Sequence, residues 1–234
     1  MNDDLEFESY LFLSPNKSMI TICEKKNIKI LYKEKFLLKG DLNSSNFESL
    51  DNFLNDNIFK IEKSLKSFLK NIFIVLDYKV FFPVQLSLKK SFSGKILSQN
   101  DLNYILNDSK FQCQETLKNK KIIHMVINNF KINKKDYSFL PKDLPIDEVC
   151  VDISFICLSE NFIKNLEAVL KKYHISLDRI ISGDYMNNLF KNSQLDPIQM
   201  AKQTVEGFNK NEVVMAPKNI ENKGFFEKFF HFFS

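Results

Sequence analysis

The pattern of apolar and polar residues predicts a β-meander at the start of the chain. Short apolar runs at residues 10–13 and 19–23 flank the sequence Ser-Pro-Asn-Lys at 14–17, which is typical of a turn. A third segment near 28–32 alternates apolar residues with mostly polar ones, as a strand with one exposed face does. These segments predict three consecutive strands.

A helix and a buried strand are predicted next. Residues 45–48 have the Ser-x-x-Glu pattern of a capping box, and apolar residues recur at spacings of three and four over 46–69. The predicted buried face consists of Phe47, Leu50, Leu54, Ile58, Ile61, Leu65 and Phe68. Residues 71–76 follow at once and are apolar on both faces, which favours a central strand. A helix that leads directly into such a strand indicates an α/β layer.

A second unit follows in the order strand, helix, strand, strand. Residues 83–88 alternate as a strand, and Ser98 to Asp101 caps a helix. Residues 121–127 form a strongly apolar strand, and 149–155 alternate as the last strand after a loop, 136–145, that contains two prolines.

The remaining residues return to the first pattern. Ser159 caps a predicted helix, and residues 175–181 predict a short strand. Asp196–Pro197 begins a helix that runs to about Phe208, with proline at the first helical position. A polar linker is predicted after it.

The charge composition argues against a nucleic-acid binder. The 234 residues carry a net charge of +4, and Arg179 is the only arginine among 33 basic residues. Base readout and bidentate phosphate contacts favour arginine, and nucleic-acid binders cluster their basic residues on one face. The lysines here are interspersed with 29 acidic residues. We therefore expect no nucleic-acid partner.

The cysteines and histidines predict no catalytic residue and no metal site. None of the cysteines lies in a Cys-x-x-Cys pair, and no two histidines have metal-ligand spacing. The residues concerned are Cys23, Cys113, Cys150, Cys157, His124, His174 and His231. We expect buried free thiols in a reducing compartment.

Several segments resemble the FtsA cell-division family, whose members are actin-like, bind ATP and carry an inserted strand–helix–strand–strand subdomain. The resemblance lies in residues 122–130, in the strand 149–157 and in the segment 166–181, which includes His174 to Ile181. The helix at Asp196–Pro197 is similar to the family's last helix, which precedes a linker and a membrane-binding helix. The resemblance covers most of the chain and is weakest over the first 70 residues.

The resemblance implies a fold class and a domain organisation. We expect an α/β protein with a cut-down actin-like (ribonuclease-H-like) half and a C-terminal amphipathic helix. The half is formed by residues 8–80 and 157–210, and the inserted strand–helix–strand–strand subdomain by residues 82–156. A linker at 211–222 leads to the amphipathic helix at 223–234.

The family's nucleotide site has no counterpart in the sequence. The family places Asp-Gly-Thr or a similar phosphate loop after the first strand, where glycine lets the backbone approach phosphate and the carboxylate supports the metal. Residues 13–18 have the sequence Leu-Ser-Pro-Asn-Lys-Ser, and all five glycines are isolated. The second half of the cleft, expected between Tyr185 and Asp196, is also missing. We expect no enzymatic activity and no cofactor; a divergent actin-like ATPase that uses Lys17 is the first alternative.

The last residues predict a membrane-binding helix. Its six phenylalanines occupy an arc of roughly 160° on a helical wheel, and polar residues occupy the other arc. Such a helix lies in the membrane interface, where we expect roughly 5–10 kcal/mol from the phenylalanines and about 1 kcal/mol per lysine on anionic lipid. The predicted membrane-binding residues are Lys223, Phe225, Phe226, Lys228, Phe229, Phe230, Phe232 and Phe233. The alternative is a terminal helix that packs on the domain.

The function that the resemblance implies is a non-enzymatic, membrane-associated scaffold or adaptor of bacterial cell division. Its expected partners are lipid through the C-terminal helix, other division proteins through the inserted subdomain, and further copies of itself. No apolar run reaches about 18 residues, and the acidic start lacks the features of a signal peptide. The expected location is therefore the cytoplasmic side of the inner membrane, in peripheral attachment. A pilus-assembly relative of the same superfamily is the second alternative.

Overall fold

The structure is a computed structural model that describes residues 6–15, 17–38, 47–141 and 144–214. These residues form nine strands and five helices. In chain order they are β1 Phe7–Leu13, β2 Ser18–Glu24, β3 Ile30–Phe36, α1 Glu48–Leu65, β4 Asn71–Leu76, β5 Phe82–Ile96, α2 Gln99–Thr116, β6 Lys120–Ile132, β7 Lys135–Tyr137, β8 Pro145–Ser159, α3 Glu160–Lys171, β9 Ser176–Ser182, α4 Gly183–Leu189 and α5 Pro197–Val205.

The first sheet, which we call the core sheet, has five strands in the order β3–β2–β1–β4–β9. β1, β2 and β3 form the predicted antiparallel meander, and β1, β4 and β9 run parallel. This strand order with these directions is the ribonuclease-H-like half of an actin-like fold. The predicted α/β fold class is therefore confirmed.

Helices cover the core sheet on both faces. Leu54 of α1 and Leu166 of α3 pack with Ile74 on one face, and Ile198 of α5 packs with Val75 on the other. Ile74 and Val75 are neighbours in β4, and successive strand residues point to opposite faces. This explains why the strand is apolar throughout, since burial of each aliphatic side chain contributes about 1.5–3 kcal/mol.

The second sheet contains only strands from the middle of the chain, in the antiparallel order β5–β8–β6–β7. Its first residue, Phe82, pairs with Cys157, so the two ends of this segment lie side by side. The expected order of strand, helix, strand, strand lacks one element. A further short strand, β7, forms where the loop with two prolines was predicted to begin. Asn133 and Lys134 both have positive φ (48° and 68°), which is the geometry of a tight two-residue hairpin.

Helix α1 is shorter than predicted. It begins at Glu48 after Phe47, which makes no side-chain capping bond, and Ser45 of the expected capping box lies outside the described residues. The helix ends at Leu65, because Lys66 adopts a left-handed conformation with φ 53°. Phe68, expected on the buried face, is therefore 73% exposed.

Two of the predicted helix caps are confirmed and one is not. Ser98 forms a capping box with Asp101, and Asp196 forms one with Gln199. Ser159 precedes α3 as predicted but makes no side-chain capping bond. Helix α5 ends at Val205, before the predicted Phe208. Helix α4 was not predicted, because seven residues are too few for an apolar period to be recognised.

The predicted linker at 211–222 is wrong at its start. Asn211 accepts a hydrogen bond from the backbone N–H of Ile127, and the N–H of Val213 donates to the carbonyl oxygen of Met125. Glu212 forms an antiparallel bridge with Val126. Residues 211–213 thus extend the second sheet along β6, because this part of β6 lies beyond the reach of the short β7.

Candidate functional site

The carboxyl ends of three parallel strands form a candidate site. β1, β4 and β9 are followed by Ser14, Asp77 and Gly183, and parallel strands end at the same edge of a sheet. The backbone N–H of Asp77 donates to the carbonyl oxygen of Leu13 at 2.8 Å, which ties two of these ends together. A cavity of about 370 Å³ opens here, and we call it the strand-end cleft.

Charged side chains from two sides line the strand-end cleft above an apolar floor. Lys17, Lys33 and Lys35 come from the meander, and Asp77 and Asp196 come from the β4 and α5 side. The floor includes Phe12, Met19, Val75, Met186 and Ile198. The cleft therefore offers cations, carboxylates and apolar surface within one cavity.

The turn between β1 and β2 lies where the FtsA family would have its first phosphate loop. The Ser14 hydroxyl donates to the carbonyl oxygen of Lys17 at 2.7 Å and accepts the Lys17 N–H at 3.2 Å. The Ser18 hydroxyl makes the same pair of bonds with the Ser14 backbone, at 3.3 and 3.4 Å. A phosphate loop offers its backbone N–H groups to the ligand, whereas two of them are bonded within this turn.

Asp77 and Gly183, which both line the cleft, are in very close contact. A Cβ atom on Gly183 would lie 2.8 Å from Cβ and 3.0 Å from Cα of Asp77, so only glycine lets α4 begin here without a shift. Burial raises the pKa of Asp77, and the negative charge of Asp184 raises it further. In the sequence Gly183 is only an isolated glycine, and nothing near it marks this contact.

The described residues hold no activated thiol and no metal cluster. All four cysteines are free, and Cys113 Sγ lies 3.9 Å from Cys157 Sγ. Burial raises the pKa of the Cys157 thiol to about 12 and that of Cys23 to about 11, so both are protonated at neutral pH. No group of three or more His, Cys, Asp or Glu side chains within the described ranges is arranged to hold a metal ion.

A second polar site joins the two sheets, and we call it the Glu212 junction. The Glu212 carboxylate accepts hydrogen bonds from His124 of β6 at 2.7 Å and from Tyr185 of α4 at 2.9 Å, and it pairs with Arg179 of β9. The side chain of Glu212 is only 2% exposed and that of His124 is fully buried. Burial favours the neutral acid, but the hydrogen bond with His124 and the charge of Arg179 keep the pKa of Glu212 below its usual value.

The hydrogen bonds of His124 assign its protonation state. Nε2 accepts the backbone N–H of Ser182 at 3.0 Å, so this nitrogen carries no proton. Nδ1 must then be the N–H that donates to Glu212. His124 is therefore neutral, and burial lowers its pKa in agreement with this. The junction is an ionised Glu212–Arg179 pair that is completed by a neutral histidine and a tyrosine.

The residues predicted to bind membrane lie outside the described residues, as does the predicted amphipathic helix at 223–234. Among the helices of the described residues, none is long and apolar enough to cross a membrane. The membrane-binding residues are therefore still predictions.

Comparisons with known proteins give similarity in fold but not in sequence. No protein-family model matches the chain, and no curated protein matches its sequence. A structure of a PilM–PilN type IV pilus biogenesis complex is similar with a TM-score of 0.48 and 7% identity, over 79% of this chain and 49% of that chain. The cytoplasmic domain of EpsL, an inner membrane component of the type II secretion system of Vibrio cholerae, is similar with a TM-score of 0.39 and 6% identity, over 77% of this chain and 58% of that chain.

A third similar structure is a Bacteroides thetaiotaomicron protein with an actin-like ATPase fold and unknown function. Its TM-score is 0.36 at 12% identity, over 83% of this chain and 61% of that chain. This chain thus spans about half to three fifths of the length of the three structures. The likeness concerns the fold alone.

Sequence reasoning did not find the Glu212 junction. Its members His124 and Glu212 are separated by 88 residues, and Glu212 lies inside the segment predicted as a linker. The one available signal is Arg179, the only arginine, because a guanidinium is the cation best suited to a buried carboxylate.

Proposed function

We propose that this protein is a non-enzymatic scaffold, attached to the cytoplasmic face of the bacterial inner membrane, that serves cell division as its resemblance to the FtsA family implies. Its cut-down actin-like fold provides the body, and the Phe-rich segment at 224–233 provides the attachment. The inserted subdomain, 82–156, provides the contact with other division proteins.

The observation that carries this proposal is the Glu212 junction. The buried Glu212 carboxylate accepts hydrogen bonds from β6, β9 and α4, so it fixes this part of the chain to both sheets at once. The Phe-rich segment follows from this fixed point after only a short stretch of chain. This fixed point sets where on the folded body the chain that leads to the predicted anchor begins.

The attachment is tested by flotation of the full chain with liposomes. The double variant Phe226→Glu/Phe229→Glu places two charges in the predicted apolar arc, and we expect it to lose liposome binding at least about tenfold while its thermal unfolding is unchanged. The matched control is Phe59→Glu/Phe68→Glu, which alters two phenylalanines that are 71% and 73% exposed on the folded body. We expect the control to float like the wild type.

Two results would contradict the attachment. If the wild type ignores liposomes and the Phe226→Glu/Phe229→Glu variant unfolds at lower temperature, the segment is a core helix that packs on the domain. If both double variants lose binding equally, the segment has no special affinity for lipid.

We expect no ATPase activity. In the turn between β1 and β2, the backbone N–H groups of Ser14 and Lys17 are hydrogen-bonded to serine hydroxyls of the same turn and are not offered to a phosphate. Calorimetry with ATP and magnesium should show no saturable heat at sub-millimolar nucleotide. Micromolar binding that is lost in Lys17→Ala would favour the divergent ATPase instead.

The partner contact is assigned to α2, the helix of the inserted subdomain. Tyr104 and Phe111 are 64% and 62% exposed, and their spacing of seven residues puts them on the same side of the helix. Affinity capture from membranes should retain division proteins with the wild type and lose them with Tyr104→Ser/Phe111→Ser. Phe59→Ser/Phe68→Ser is the matched control. Capture of pilus-assembly proteins instead would support the second alternative from the sequence.

A further inference from the structure

In the described part of the chain, helices cover one face of the core sheet only in part. On this face α4 and α5 pack over Tyr10, Val75 and Ile181, which belong to β1, β4 and β9. α1 covers β3 on the opposite face, where Phe36 stacks on Phe53 with ring centroids 3.6 Å apart. On the face that α4 and α5 cover, the side chains of the edge strand β3 are exposed to solvent.

A bulge determines which side chains of β3 occupy this exposed end. Lys33 pairs with Thr21 and Lys35 pairs with Met19, while the register shift at Ile22 and Cys23 makes Ile30 pair with Cys23. Side chains opposite each other in adjacent strands share a face. Ile30, Lys33 and Lys35 therefore share a face with Met19 and Cys23, although an unbroken alternation would put Ile30 on the other side from Lys33.

Lys17 joins these residues from the turn between β1 and β2, since all four line the strand-end cleft. We call this set, Lys17, Ile30, Lys33 and Lys35, the lysine face. Ile30 is 46% exposed, and the three lysines are exposed. The face thus combines three cations with an accessible aliphatic side chain.

The lysines of this face have no acidic partner within salt-bridge distance in the described part of the chain. Neighbouring Lys25 and Lys29 do have partners, Glu6 and Glu24, each at 3.8 Å. The acids of the strand-end cleft lie on its β4 and α5 side, where Asp196 accepts the N–H of Gln199 in its capping box. Within the described residues, the lysine face therefore carries three positive charges that no salt bridge pairs.

We propose that the lysine face is a second lipid contact, which meets the anionic headgroups of the bilayer to which the Phe-rich segment attaches; this rests on the proposed function. One lysine beside an anionic surface strengthens binding by about fivefold, so three lysines alone bind weakly. Attachment through the Phe-rich segment makes the contact intramolecular, and its effective concentration is then high. An anionic membrane matches this face. Its headgroups attract the three lysines, its apolar interior accepts the exposed Ile30, and the protein is already attached to it.

The chain is long enough for both contacts to form together. Residues 215–223 separate the last described residue from the Phe-rich segment, and nine residues span at most about 32 Å. The Glu212 junction lies at the β9 edge of the core sheet and the lysine face at the β3 edge. Four strand spacings between them amount to about 19 Å.

The test is titration of the full chain with two kinds of vesicle, pure phosphatidylcholine and phosphatidylcholine mixed with phosphatidylglycerol. The variant Lys17→Gln/Lys33→Gln/Lys35→Gln should bind the anionic vesicles about 10- to 100-fold more weakly than the wild type. It should bind the neutral vesicles equally well. Raising the salt concentration should remove the difference, since these charges are exposed.

The matched control is Lys63→Gln/Lys66→Gln/Lys70→Gln, which removes the same charge from exposed lysines on and after α1, behind the opposite face of the core sheet. The control should lose less than about fivefold on anionic vesicles. Equal losses in both triple variants would overturn the proposal, because only net charge would then matter. No loss in either would overturn it as well, and would leave the lysine face to an acidic protein partner.

Failure of this proposal is distinguishable from failure of the proposed function. A wild type that binds neutral vesicles but gains nothing from anionic lipid refutes only the lysine face. A wild type that binds neither kind of vesicle refutes the membrane attachment, and the lysine face with it.

Discussion

The Glu212 junction and the strand-end cleft are both polar, but their polar groups have opposite surroundings. At the junction the Glu212 carboxylate is buried and the Arg179 guanidinium largely so, and Glu212 is held by His124, Arg179 and Tyr185. In the cleft Lys17, Lys33 and Lys35 stay in solvent without an acidic partner among the described residues. A buried charge without partners costs several kcal/mol, so the junction must be complete to exist, whereas exposed lysines cost nothing when unpaired.

The difference separates a structural role from a binding role. A saturated buried network has no free donor or acceptor for a ligand, and its value lies in fixing the elements that it connects. An exposed set of like charges contributes little to folding and is available to a partner. Four substitutions test this contrast, from the largest expected effect to the smallest.

Glu212→Ala should break the junction. It leaves the buried His124 N–H without an acceptor and the Arg179 guanidinium with only the Thr204 carbonyl oxygen, and we expect the free energy of unfolding in urea to fall by about 3 kcal/mol. This is the low end of the usual range, because Arg179 is 20% exposed. Glu206→Ala is the matched control; Glu206 pairs with Lys202 but is 57% exposed, so the loss should be below about 1 kcal/mol. Similar losses would mean that the junction is not a structural centre.

Gly183→Ala tests the close approach of Asp77 and Gly183 in the cleft. The added Cβ would lie 2.8 Å from Asp77 Cβ, and we expect a loss of about 1–3 kcal/mol in thermal denaturation. Asp77→Gly in the same chain removes Cβ and Oδ1, two of the three close atoms, and should restore part of the loss. A neutral Gly183→Ala would show that α4 moves freely away from β4, which would make the cleft adaptable rather than fixed.

The pH dependence of stability should reveal His124. Burial lowers its pKa in the folded protein, so below the ordinary value of 6.5 the unfolded chain takes up the proton first. Stability should therefore fall as the pH decreases below 6.5, by at most about 1.4 kcal/mol per pH unit for one group. A second decline should follow below 4.5, the ordinary value of Glu212, whose pKa is also lowered.

Two histidine variants assign this decline. His124→Asn should flatten the slope between pH 6.5 and 5, whatever its effect on stability at neutral pH. His174→Asn is the matched control, since His174 is exposed in a left-handed turn that asparagine tolerates. Equal slopes for both variants and the wild type would contradict a neutral buried His124.

Ser14→Ala should have the smallest effect, because its hydrogen bonds in the cleft compete with water. Loss of the bonds to Lys17 should cost about 0.5 kcal/mol in urea unfolding. Ser91→Ala, an exposed strand serine for which no side-chain hydrogen bond is described, should be neutral. A loss above about 2 kcal/mol would mean that the turn contributes as much to stability as the junction does.

Local signals in the sequence predicted much of the fold and little of either site. The predictions that Ser98 and Asp196 begin helices were correct, because a capping box depends on residues within four positions of each other. The extent of α1 was overestimated, because a left-handed Lys66 ends it while the apolar spacing continues to Phe68. The β7 hairpin depends on positive φ at Asn133 and Lys134, and only the asparagine gave a sequence signal for it.

The sequence by itself determined the order of the elements apart from β7 and α4, most of the apolar faces that they bury, and the absence of an Asp-Gly phosphate loop. These features follow from periodicity and from short motifs, which act over a few residues. Tertiary structure alone decided the two sites. His124 meets Glu212 across 88 residues, and Ile30 shares a face with Lys33 and Lys35 only because the strand register includes a bulge. Such contacts depend on which strands pair and in what register, and no local spacing records that choice.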